Sequence, residues 1–176
     1  MSPIDTSRSF ISINIVILTI SDTRTLKNDS SGDLLEERIK NFGHKILDRQ
    51  IIVDDVSLIK KTILNLSSNK LIDAIITTGG TGLTGRDSTP EAISEIAEKI
   101  IEGFGELFRQ ISFLKIGTSA IQSRALGALI KGTYVFSIPG STSACKDAWD
   151  NILKFQLDNR YRPCNFIEIM PRLQEK

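Results

Sequence analysis

The stretch Ile75–Ile93, IITTGGTGLTGRDSTPEAI, decides the fold. It begins with a short apolar run rich in Ile and Thr, the pattern of a buried strand. Gly79, Gly80, Gly82 and Gly85 follow and give the backbone a freedom that no other residue type offers. After Arg86 and Asp87, the residues Ser88, Thr89 and Pro90 open a helix: a hydroxyl for the N-cap, a proline for the first turn, and Glu91 near the positive end of the helix dipole. Thr89 is expected to cap rather than to bind a ligand. The segment reads as strand, glycine loop, acidic residue, helix. Such a loop can wrap an anion with its backbone N–H groups, and its carboxylate points to a metal partner for that anion.

Gly80–Gly85, GTGLTG, also fits the dinucleotide fingerprint, which would make the chain a nicotinamide-dependent oxidoreductase. In that fingerprint the last glycine packs inside the helix start. Here four residues separate Gly85 from Pro90, and one of them is Asp87. A bare carboxylate repels a pyrophosphate unless a cation bridges the two. The loop is not a Walker A motif either, because no Gly-Lys-Ser/Thr follows. A plain strand-to-helix turn needs fewer glycines than four in seven residues.

Upstream, Ser12 to Ile20 reads as a first strand, apolar on both faces like a central parallel strand. It runs into Ser21-Asp22-Thr23-Arg24 and then Asp29-Ser30-Ser31-Gly32. A helix is expected from about Asp33 to Asn41, a second strand over His44–Val53, and a helix over Val56–Leu66 capped by Asp54 or Asp55. Lys70 to Thr78 reads as the third strand. Downstream, the helix from Pro90 ends before Gly103, and Gly103–Lys115 forms another with Phe104, Leu107, Phe108 and Ile111 on one face. Thr118–Arg124 reads as a short helix. The strands Leu126–Ile130 and Thr133–Ile138 turn at Lys131-Gly132, and Pro139-Gly140-Ser141 leads into a helix over Thr142–Leu157.

The alternation predicts an α/β fold: three layers, α/β/α, around a mostly parallel sheet. The 176 residues suit a single domain, with 1–10 and 160–176 as extended terminal arms. Ligands in such sheets bind at the carboxyl ends of strands. Four polar loops are expected to converge there: Ser21–Gly32, Asp54-Asp55, Gly79–Thr89 and Pro139–Ser141.

Composition limits the chemistry. A net charge of +1 with no basic run longer than two gives no nucleic-acid footprint. Phe10–Ile20 is too short to span a bilayer, so a cytoplasmic protein without a membrane partner is expected. Cys145 and Cys164 have no C-x-x-C spacing and read as ordinary thiols. His44 is the only histidine, which excludes a multi-histidine metal centre and disfavours a serine–histidine triad. Carboxylates, backbone amides, hydroxyls, Lys and Arg must carry the chemistry. Two carboxylates at neighbouring strand ends can share one Mg²⁺, while Gly140 adds a second anion seat. Such a cleft suits phosphoryl or nucleotidyl transfer, with metal, amides and Arg124 neutralising charge.

TTGGTGLTGRDSTPEAI resembles the signature of the MoaB/MogA family of molybdenum cofactor biosynthesis, the molybdopterin-binding fold shared with the G domains of plant and animal homologues. Ser21-Asp22-Thr23-Arg24, Asp29-Ser30-Ser31-Gly32, GFGELFRQIS, the Ser-Arg-Ala segment at Ser123 and Pro139-Gly140-Ser141 sit in the family's order, and the tail RPCNF at Arg162–Phe166 resembles its bacterial B branch. The resemblance implies adenylylation of the terminal phosphate of molybdopterin by Mg²⁺-ATP, with release of pyrophosphate. It places the family's two essential acids, catalytic and metal-holding, at Asp54 and Asp87. It also implies phosphate binding by Gly79, Gly80, Thr81 and Gly82, and a pterin side lined by Ser21, Ser123, Gly140 and Ser141. Val53 stands where the family usually has proline, which bears on the posture of Asp54. The resemblance further implies a homotrimer or homohexamer. Some B-branch members lack the acids, so a non-catalytic molybdopterin-binding or scaffold protein is the alternative.

Overall fold

The computed structural model describes residues 4–175. Six strands form one sheet in the order β2-β1-β3-β6-β5-β4: β1 (Asn14–Ile20), β2 (Lys45–Ile52), β3 (Ala74–Thr78), β4 (Lys99–Ile101), β5 (Leu126–Ile130) and β6 (Thr133–Ile138). The first four in that order run parallel, and β5 and β4 are antiparallel additions at one edge. Helices cover both faces, as the run of apolar residues along β1 requires. Ile15 and Ile17 lie on the face covered by α1 (Ser30–Phe42), α4 (Glu102–Ile116) and α5 (Thr142–Ala148), in one buried cluster with Leu35, Phe108 and Trp149. Val16 and Leu18 face α2 (Val56–Ser68) and α3 (Thr89–Ile96), packing with Ile59, Ile63 and Ile93. The fold is the expected three-layer α/β/α arrangement. Among the described residues no helix is long and apolar enough to cross a membrane.

Local chemistry sets the helix starts. Asp29 caps α1 by accepting from the Gly32 N–H, so the helix begins at Ser30, earlier than the apolar spacing indicates. Asp55 caps α2 by accepting from Leu58 N–H, which leaves Asp54 at the end of β2 with no capping duty. α5 continues through a π turn, Trp149–Leu153, to Gln156.

Two expectations need correction. α3 stops at Ile96, and Lys99–Ile101 forms β4 against β5, because Ile100 and its neighbours pair with Gly127–Leu129 instead of continuing the helix. The tail is not an extended arm: Phe166–Ile169 and Met170–Arg172 are helical, Ile167 is buried, and the Phe166 ring lies 4.8 Å from that of Tyr134. The amino-terminal segment is tied to the same region, since Arg8 donates to Asn159 O and the Asp5 N–H to Arg160 O. The part of that arm over residues 1–3 lies outside the described residues.

Candidate active site

The carboxyl ends of β2, β1, β3 and β6 are neighbours in the sheet, so the four polar loops meet. Contacts between the loops show how closely. The Ser21 N–H donates to Ile52 O, and the Asp54 N–H to the Asp22 carboxylate. Arg24 donates to Gly140 O at 3.0 Å, and the Ser31 hydroxyl reaches the same oxygen at 2.8 Å. Asp29, fully buried, holds Arg24 and Arg49 by ion pairs and accepts from the Thr19 hydroxyl.

Two glycines of the loop have positive φ, Gly79 at 104° and Gly80 at 62°. A Cβ on Gly79 would lie 2.2 Å from the Ile20 carbonyl oxygen, so the loop crosses directly over the end of β1. Gly82 is crowded for another reason: a Cβ there would lie 2.6 Å from an Asp87 carboxylate oxygen, so that side chain would have to shift. Gly85 has neither constraint, so the expectation that all four glycines supply special backbone freedom holds only for Gly79 and Gly80.

The two acids lie against different glycines of the loop, Asp54 against Gly80 and Asp87 against Gly82. The Asp54 carboxylate accepts from the Ser88 N–H at 3.2 Å and its hydroxyl at 2.6 Å, and one of its oxygens lies 2.5 Å from where a Cβ on Gly80 would stand. The Asp87 carboxylate accepts from the N–H and hydroxyl of Thr84. Their acidities are driven apart. Burial pushes Asp54 up, the Asp87 and Asp22 charges add to this, and the Ser88 hydrogen bonds only oppose it. The Thr84 hydroxyl leads a set of hydrogen bonds that pulls Asp87 down against the effect of burial. Val53 is half exposed, and the posture of Asp54 is set by Asp22 and Ser88 without a preceding proline.

Beside this loop lies a cavity of about 680 Å³. Gly79, Gly80, Thr81, Gly82 and Asp87 form one wall, with Ser123, Gly140 and Ser141 among the others. Phe108, Ile116 and Pro139 supply apolar surface. Ser21 lies outside it, in an adjoining cavity of about 400 Å³ that shares Gly79, Gly140 and Ser141. Its hydroxyl accepts from Thr23 and Arg24 N–H groups in a local turn. Asp54 does not line the large cavity; it lies against Gly80, which does. Arg124 departs from its expected part. Its guanidinium donates to the carbonyls of Thr81 and Asp87 and pairs with Glu91, so it clamps the loop from outside the cavity. Lys115 and Ser112 of α4 also line the cavity and were not singled out from sequence. Phe108, Ser112 and Lys115 are spaced i, i+4, i+7 on one helix face, a polar interruption of an apolar stripe that could have marked them.

The Thr89 expectation is also overturned. Ser88 occupies the N-cap position and makes no capping hydrogen bond, while the Thr89 hydroxyl is buried with no partner. Hard oxygen donors, carboxylate and hydroxyl, therefore gather around Gly80 and Gly82, a set that suits Mg²⁺. Among the described residues no group of three or more His, Cys, Asp or Glu is placed to hold a metal. A cation here would take most of its ligands from phosphate and water, as Mg²⁺ commonly does.

Residues 16–159 match the family model of a probable molybdopterin binding domain. The chain is 42% identical over 160 residues to molybdenum cofactor biosynthesis protein B of Escherichia coli strain K12, spanning 91% of this chain and 94% of that one. To the protein of the same name from Bacillus cereus it is 47% identical over 138 residues, 78% and 82% of the two chains. A crystal structure of a molybdenum cofactor biosynthesis protein B superposes with a TM-score of 0.86 at 39% identity, covering 96% of this chain and all 100% of that one. The tungsten cofactor synthesizing protein MoaB from Pyrococcus furiosus gives 0.76 at 27% identity, covering 93% and 98%. The chain belongs to the molybdopterin-binding-domain family of molybdenum cofactor biosynthesis proteins.

Proposed function

We propose that this protein acts in molybdenum cofactor biosynthesis by transferring AMP from ATP to the terminal phosphate of molybdopterin. The observation that carries this reading is the pair of carboxylates pressed against Gly80 and Gly82, on a loop that walls a cavity of about 680 Å³. A phosphate oxygen of molybdopterin attacks the α-phosphorus of ATP, the bond to the β-phosphate breaks, and pyrophosphate leaves. A phosphate monoester is largely a dianion at neutral pH, so its oxygen attacks without a general base. Positioning and charge neutralisation are what the site has to supply. Backbone amides of Gly79, Gly80, Thr81 and Gly82 bind phosphate oxygens. Asp54 and Asp87 hold Mg²⁺, which supplies charge neutralisation at the phosphates when bound. Phe108, Ile116 and Pro139 offer the apolar surface a planar pterin needs, with Ser123, Gly140 and Ser141 as polar partners; Ser21 acts from the adjoining cavity.

The protein acts as a homotrimer, or as a hexamer of two trimers, in the cytoplasm. Phe113, Leu114 and Ile121 border one groove at the end of α4 and are 56%, 85% and 84% exposed. An apolar surface of this kind suits contact between copies. A second reading, a member that holds molybdopterin without transferring AMP, draws on the withdrawal of Asp54 behind Gly80. The test is to incubate the purified protein with molybdopterin, ATP and Mg²⁺ and to look by mass for adenylyl-molybdopterin. Product from the native chain and none from Asp87→Asn supports the transferase. Bound molybdopterin with no product supports the second reading.

A further inference from the structure

Among the described residues, the Thr89 hydroxyl beside Asp54 and the Ser123 hydroxyl in the cavity wall are both buried without a hydrogen-bond partner, and only Ser123 has a part in the reading above. Thr89 is fully buried, and its Oγ1 has no hydrogen-bond partner. A buried hydroxyl left unpaired costs about 1–3 kcal/mol, and capping does not account for it, since Ser88 stands at the cap position. Its surroundings give it a direction. The Thr89 N–H donates to Gly80 O at 3.0 Å, which ties this residue to the loop. A Cβ on Gly80 would lie 2.2 Å from Thr89 Oγ1 and 2.5 Å from Asp54 Oδ2. The hydroxyl and the carboxylate oxygen thus flank the same glycine within a few ångströms of each other. The other Asp54 oxygen is occupied by both donors of Ser88.

We propose that the Thr89 hydroxyl is an oxygen ligand of the divalent cation held at Asp54, either directly or through one water of that cation. The inference rests on the reading of Asp54 as a metal-holding residue. A hydroxyl and a carboxylate are both hard oxygen donors, and a magnesium-like ion accepts such a pair while keeping its remaining positions for water and phosphate. A helix N-terminus with a free hydroxyl would otherwise favour an anion. Here the neighbouring charge is the Asp54 carboxylate, so a cation is the occupant that satisfies both groups.

The test uses the full chain and Mn²⁺ as probe, with and without ATP, read by electron paramagnetic resonance titration and by the metal-dependent rise in melting temperature. Native protein is compared with Thr89→Val, Thr89→Ser and Asp54→Asn. Thr89→Val keeps the shape and removes only an unpaired hydroxyl, so its melting temperature without metal should stay the same or rise. Its Mn²⁺ affinity should fall by about tenfold, the lower end of losses seen for groups that support a metal site. Thr89→Ser should retain native affinity, and it carries the test if the valine variant fails to fold: a serine variant that loses Mn²⁺ binding while fully folded would count against the hydroxyl. Native affinity and native metal-dependent stabilisation in Thr89→Val, with loss in Asp54→Asn, would overturn the Thr89 assignment alone. Unchanged binding in Asp54→Asn, or no Mn²⁺ binding by the native chain, would overturn the underlying reading of Asp54 as well.

Discussion

Replacing Gly79 by alanine tests the geometry of the phosphate loop more sharply than any change to a charged residue. Gly79 has φ of 104°, a region that costs a non-glycine residue about 1–3 kcal/mol. The added Cβ would also stand 2.2 Å from the Ile20 carbonyl oxygen, a main-chain atom at the end of a central strand that cannot rotate away. Relieving that overlap means moving the loop or the strand end, at a further cost of roughly 1–3 kcal/mol. Together these give about 4 kcal/mol, which for a chain of this size is a fall in melting temperature of roughly 8–16 °C. Gly85→Ala is the internal control. Its φ is not in the left-handed region and its Cβ would meet nothing within 4 Å, so it should be neutral or stabilising by up to about 1 kcal/mol. Thermal unfolding followed by circular dichroism reads both. A Gly79→Ala protein that melts within about 2 °C of the native chain would refute the placement of the loop across β1, given that the same temperature shift is the lower bound of the strain alone.

Asp29→Ala should cost about 3 kcal/mol, because it strips Arg24, Arg49, Thr19 and the α1 N-cap of one shared, fully buried partner; a denaturant midpoint equal to the native one would count against that network. His44 gives a pH prediction. Burial, opposed by the Asp158 charge and the Leu157 backbone, lowers its pKa from 6.5 to about 4. A histidine whose folded pKa is depressed leaves stability intact above pH 6.5, and stability is lost as pH falls from there to about 4, by roughly 3 kcal/mol in all. Melting temperatures across that window should show the slope in the native chain and a flatter profile in His44→Gln, and equal slopes would remove His44 as the cause. Leu114→Glu, placed on the 85% exposed side chain at the end of α4, should shift the sedimentation coefficient to that of a monomer without lowering helix content; an unchanged oligomer would move the interface elsewhere.

The strands with strong apolar runs and clear turn residues were legible in the sequence. β5 and β6, joined at Lys131-Gly132, lie where the pattern puts them, since Lys131 and Gly132 both take positive φ there. β4 was hidden because Ile96 and Ile100 keep helical spacing, and only pairing with β5, distant in sequence, turns Lys99–Ile101 into a strand. The tail was misread for a similar reason: Phe166 and Ile167 find their partners on β6 and the core, which no local pattern reveals. At the site, the turn of the glycine loop was legible from its glycines, while Asp54 and Asp87 were picked out by the family resemblance, and the structure sets both against that loop. The parts of Arg124 and Thr89 were not legible, since a guanidinium serves as a clamp or as an anion ligand, and a hydroxyl as a cap or as a free donor, according to neighbours supplied by other segments.

The central claim is that Asp54 and Asp87 act on ATP phosphates and not on the binding of the pterin. The most direct measurement pairs molybdopterin affinity with pyrophosphate release for the native chain, Asp54→Asn and Asp87→Asn in Mg²⁺-ATP. All three should bind molybdopterin alike, while release should fall by about 10²-fold or more in each variant. Native rates of release in both variants, or native binding of molybdopterin with no release from any of the three, would contradict it.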